Sequence, residues 1–174
     1  MFKQFNTRLL ALFGLCLFLI VSCKKDPEPP GPGNPQYDGI EGEWQANGMY
    51  ISEFLSAFAK VDSIYAIFDK SFSYRMEHFD ATGAKTIYEG IYEQDISDTT
   101  DYYYIRLRQS SPFPAVSEGI AAVYLAQPDS MYLEIVQTNP HIGALAPTLT
   151  GGFGSSSEGA LGRSNIQRFR RIGE

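Results

Sequence analysis

From position 40 to the end of the chain, apolar and polar residues alternate in short runs broken by turn signals about every ten positions. A chain patterned this way can bury one face of each segment only by pairing segments into antiparallel sheet. Phe72, Tyr74 and Met76 alternate with Ser73, Arg75 and Glu77, which predicts a strand with one apolar and one wet face. Asp80-Ala81-Thr82-Gly83 supplies the following turn, and a returning strand is predicted over 86–94. Over 102–109, Tyr103, Ile105 and Leu107 share one face while Tyr102, Tyr104, Arg106 and Arg108 share the other. Strands over 120–126 and 131–138 flank a turn at Gln127-Pro128-Asp129-Ser130. Further strands are expected over 42–51, 64–68 and 165–172. The one helical stretch is 52–61, where Phe54, Leu55, Phe58 and Val61 fall on one face behind a Ser52 cap.

About eight strands and one short helix leave a sandwich or a closed barrel, and closure removes the exposed strand edges. The expected fold is therefore all-β, an antiparallel meander closed into a barrel. Residues 139–163 exceed any ordinary hairpin loop and hold six glycines. They are expected to carry a short strand over 142–145 or to form an ordered flap over one end.

The N-terminus reads as a targeting segment. Lys3 and Arg8 precede an apolar run from Leu9 to Val21, too short for a spanning helix and suited to a secretory signal. The run ends in Ile20-Val21-Ser22-Cys23, which resembles the lipobox of bacterial lipoproteins, with Ile20 where leucine is usual. That resemblance implies removal of residues 1–22 and lipidation of Cys23, with three acyl chains anchoring the protein in a membrane. Cys16, the only other cysteine, lies inside the removed segment, so no intrachain disulfide is available. The rest of segment 23–39 holds five prolines, three glycines and no apolar side chain but Tyr37, and reads as an extended tether. Residues 40–174 form the folded domain.

Charge and composition exclude several functions. Loss of residues 1–22 removes two bases and no acid, moving the formal charge from −6 to −8, so DNA and RNA are not expected partners. His78 and His141 are the only histidines and have no companion at metal-ligand spacing, so neither a metal site nor a cofactor is expected. Glu158 stands where a nucleophile elbow over Gly154 to Gly159 needs glycine, and Gly151-Gly152-Phe153-Gly154 lacks the lysine of a phosphate loop. Glu89 and Glu93 share a strand face but lie about 13 Å apart by strand rise, too far for a glycosidase pair. No catalytic residues are expected.

The domain opens with Gly42-Glu43-Trp44 and closes with Gln167-Arg168-Phe169-Arg170-Arg171-Ile172. In this, in the Asp80 to Gly83 hairpin followed by Tyr88-Glu89-Gly90-Ile91-Tyr92, and in the segment 151–155, it resembles the lipocalin-like lipoproteins of Bacteroidota. The resemblance implies a lipocalin-like barrel in the bacterial cell envelope, anchored at the outer membrane. It places Gly42 and Trp44 at the closed end, with Arg171 in the first place, or Arg170, stacked on the indole as a structural contact. It also implies a non-enzymatic binding module for an apolar small molecule held in the barrel.

Tyr74, Tyr88, Tyr92 and Tyr103 occupy strand positions that can point inward, as the walls of a ligand site or as a packed aromatic core. A surface module that binds glycan or protein through Tyr102 and Tyr104 is the alternative function. The triplets starting at Asp62, Asp98 and Asp129 resemble the Asp-Ser/Thr-apolar acceptor for O-glycosylation in Bacteroidota, which implies modification at Ser63, Thr99 and Ser130; the same triplets also suit plain turn chemistry.

Overall fold

The structure, a computed structural model, describes residues 39–125 and 129–172. The signal segment, Cys23 and the tether up to residue 38 lie outside the described residues, as do 126–128 of the turn expected at 127–130.

Eight antiparallel strands follow one another around a closed barrel. They are β1 (Gly42–Asn47), β2 (Val61–Phe68), β3 (Ser73–Asp80), β4 (Lys85–Ile96), β5 (Tyr103–Ser111), β6 (Ala115–Tyr124), β7 (Ser130–Asn139) and β8 (Gln167–Arg171). β8 closes the circle on β1, with Trp44 opposite Arg171. The single α-helix, α1 (Glu53–Ala59), lies in the β1–β2 connection. This mostly-β architecture is compatible with a lipocalin-like fold.

Inward residues of successive strands fill the interior, as an eight-stranded barrel requires. Trp44, Phe68, Tyr92 and Phe169 are each at most 1% exposed, and Ile64, Ile105, Val123, Met131 and Leu133 pack with them. Because the strands meander, alternate connections share an end. The β2–β3, β4–β5 and β6–β7 connections lie with the start of β1 at one end. The connections 48–60, 81–84, 112–114 and 140–166 lie at the other.

Several expected boundaries shift for local reasons. β1 stops at Asn47 because Gly48 turns to φ +52 and opens a 3-10 turn over Gly48–Tyr50. α1 is shorter than 52–61: the Ser52 hydroxyl accepts from the Leu55 N–H at 3.2 Å, Lys60 ends the helix in the left-handed conformation, and Val61 already belongs to β2. The apolar face expected for it is not buried as a whole. Leu55 packs on the core while Phe58 is 78% exposed. β6 starts at Ala115, five residues before the strand read from sequence.

Residues 140–166 form no strand over 142–145. Gly162–Asn165 packs against α1 at the barrel end, and the stretch around 154–156 lies against the outer wall of β6 and β7. Glu134, fully buried on that wall, accepts the Gly154 N–H at 2.6 Å, the Ser156 N–H at 3.0 Å and the Ser156 hydroxyl. The Asn165 amide donates to the Ile135 carbonyl at 3.1 Å. Beneath this strap Ile120, Ala122 and Val136 form a second apolar layer outside the barrel.

Candidate functional site: a plugged end and a lidded mouth

The two ends differ. At the end where β1 starts, the Arg171 guanidinium lies 4.3 Å from the Trp44 ring. Its Nε donates to Asp129 at 3.0 Å and its Nη1 to the Glu41 carbonyl at 2.7 Å. The Trp44 indole N–H donates to the Ile40 carbonyl at 2.8 Å. Gly42 makes room: a Cβ there would come within 2.3 Å of Arg171 Nη1, and φ is +123. Arg170 instead stacks on Tyr50, 4.5 Å from the ring. This end is plugged.

Tyr74, Tyr92 and Tyr103 fill the adjoining half of the interior. Phe68 is their hub, 6.2 Å from the Tyr74 ring and 5.3 Å edge-on to Tyr92. The Tyr92 hydroxyl donates to the Asp69 carbonyl at 3.0 Å. Burial pushes the hydroxyls of Tyr74 and Tyr92 up to about 12, so both stay neutral donors across the physiological range.

Tyr88 stands apart, near the opposite end. There a recess of about 160 Å³ opens between the C-terminus of α1 and the β3–β4 hairpin, lined by Val61, His78, Thr86 and Tyr88. His78 extends the inward series of Tyr74 and Met76 along β3 and lies 4.8 Å from the Tyr88 ring. Burial lowers its pKa to about 4, so the imidazole is neutral near pH 7. It has no hydrogen-bond partner among the described residues, which leaves both ring nitrogens to a guest. α1 caps this end, Leu55 packing on the core while Ala59, its last residue, joins the lining of the recess. Its entry is held by Gln167, whose carbonyl oxygen accepts the Ser52 N–H at 3.0 Å and whose amide donates to the Tyr50 carbonyl at 2.9 Å. Met49, Phe58 and Phe113, in the connections of this end, are between 53% and 79% exposed and give it an apolar rim.

Sequence reasoning brought Tyr88 to the recess and missed His78. The signal was present: the alternation Tyr74, Met76, His78 continues inward to the strand end.

The outer wall is polar and laddered. Arg106 bridges Glu93 at 3.2 Å and Glu118 at 2.8 Å, and the Tyr104 hydroxyl donates to Glu118 at 2.8 Å. Tyr104 is thus held in an ion-pair network, and Tyr102 packs edge-on against Phe153 of the strap at 5.2 Å. Glu89 and Glu93 each answer an arginine, Arg75 and Arg108 respectively. Among the described residues no three His, Cys, Asp or Glu side chains gather as metal ligands. Thr99 is exposed in the β4–β5 connection, Ser63 lies within β2, and Ser130 opens β7 next to Asp129, whose carboxylate is taken by Arg171.

Comparison with protein-family models, with curated proteins and with solved structures finds no match to this chain.

Proposed function

We propose that the chain is a lipid-anchored, non-enzymatic binding module of the bacterial envelope, attached through Cys23 at the outer membrane, that takes an apolar small molecule at the mouth under α1. The observation that carries this reading is the asymmetry of the barrel. One end is stoppered by Trp44 and Arg171, while the other keeps an aromatic recess with an unbonded imidazole beneath a short helix. A recess of about 160 Å³ holds a group of a few heavy atoms, well below the 300–1,000 Å³ of common ligand sites, so a larger guest has to displace α1. The helix is suited to that: seven residues, one side chain on the core, and two exposed rings, Phe54 and Phe58, tilted against each other with centroids 5.0 Å apart. The guest's apolar body would lie on Tyr88 and Val61, and a polar tip would bond His78.

Titration with the apolar fluorophore N-phenylnaphthylamine tests the site. Saturable binding that Thr86→Trp removes by filling the recess, and that Tyr104→Phe leaves alone, supports the mouth. Binding that survives Thr86→Trp in a folded protein rejects it.

A further inference from the structure

One strand over from the wall that the strap covers, β5 carries a bulge against β4. Glu89 pairs with Ser111 and Gly90 with Gln109, so Ser110 is an extra residue that bends the strand. Gly90 permits the close approach: a Cβ there would lie 2.0 Å from the Arg108 carbonyl oxygen. Beside the bend a cleft of about 800 Å³ runs across the outer face of β2 to β5. Ile67 and Ile91 provide its apolar strip, and Ile91 is half exposed. Asp69, Arg75, Glu89 and Arg108 line it, two anions and two cations, so the lining is electroneutral.

These groups are unequally occupied. Arg75 is spent on Glu77 and Glu89. Asp69 is held by the Ser71 and Ser73 hydroxyls, which keep it ionised. Arg108 uses only Nε, on Glu93 at 2.7 Å, and both of its terminal nitrogens lack a partner among the described residues. Glu89 has one oxygen without a partner there, and so does the side-chain carbonyl of Gln109, whose amide donates to Phe113 at 2.7 Å. Free donors and free acceptors therefore stand along one apolar strip.

We propose that this cleft is a second binding site, independent of the mouth, for a neutral glycan segment. A sugar ring has an apolar C–H face to lie on Ile67 and Ile91, and hydroxyls that both accept from Arg108 and donate to Glu89 and Gln109. Zero net charge in the lining gives neither an anionic nor a cationic ligand an advantage. A cleft of this volume spans more than one ring.

The test uses the full chain in detergent micelles, with labelled isoleucine methyls observed by NMR. The probes are neutral hexasaccharides of glucose, mannose, xylose and N-acetylglucosamine. At least one should shift Ile67 and Ile91 while leaving Ile64, which faces the interior, unmoved. Arg108→Ala should weaken that binding about tenfold and Ile91→Asp should abolish it; both positions are exposed, so the fold survives. Oligogalacturonate and oligoglucosamine should bind more weakly. Absence of any shift at Ile67 and Ile91 into the millimolar range, tighter binding of a charged oligomer, or indifference to both substitutions overturns the proposal. A shift at Ile64 alone also overturns it, while leaving the mouth site standing.

Discussion

Gly42 and Arg171 illustrate how one residue's missing atoms fix another's position. The guanidinium reaches the Trp44 face only because position 42 has no side chain, and its left-handed φ adds strain for any substitute. Gly42→Ala should therefore destabilise the protein by more than about 1 kcal/mol in urea unfolding, although it adds a single methyl. Trp44→Ala and Arg171→Ala should each destabilise, the former by about 3–5 kcal/mol, and the double variant by less than their sum. Strict additivity would mean the contact carries no energy. Gly42, Trp44 and Arg171 are legible only through the resemblance that the opening tripeptide and the closing arginines carry. Asp129 is not. It reads as a turn residue, and only closure of β8 beside the β6–β7 connection brings it to Arg171.

Among the elements, the strap is the one that sequence patterning misplaces. Glu134 reads as a wet position on a half-exposed strand, yet it is buried and anchors Gly154 and Ser156. A clue lies across the ladder: Ile120-Ala121-Ala122-Val123 is apolar without alternation, as in a strand covered on both faces. What covers it cannot be read from the run itself, because the strap is bound partly through the backbone N–H groups of Gly154 and Ser156, which any sequence has. Glu134→Leu leaves those donors unpaired and should cost about 1–3 kcal/mol. Hydrogen exchange should then rise across 140–166 and stay low in β1 to β4; equal loosening of the whole barrel would contradict this account.

β3 makes a pH prediction. His78 is held below its unfolded value, 6.5 falling to about 4, by burial. Between these values the unfolded chain binds the proton and the folded barrel does not, so stability is full above pH 6.5 and declines as pH falls towards 4. His78→Phe should flatten that limb. Asp69 and Asp80, held low by neighbouring hydroxyls and N–H groups, lose their contributions only at lower pH, below the ordinary carboxylate range.

For the whole molecule, alternation and turn spacing were enough to read eight antiparallel strands, their order and the single helix. Barrel closure followed from the edge problem rather than from any residue. The division into a plugged end and a lidded mouth was less legible: four tyrosines share inward parity, and only the register separates Tyr88 from Tyr74, Tyr92 and Tyr103. Since the tether sequence before position 40 is too polar and proline-rich to contribute to a core, Cys23→Ala should release the protein from membranes with its unfolding transition unchanged. A salt-resistant membrane fraction of that variant would speak against the lipid anchor. The mouth is tested most directly by native mass spectrometry of the protein isolated from its own host. The account predicts a population heavier by one apolar small molecule, absent from Thr86→Trp; a wild-type protein that carries only its covalent lipid, or an adduct that persists in the folded variant, would contradict it.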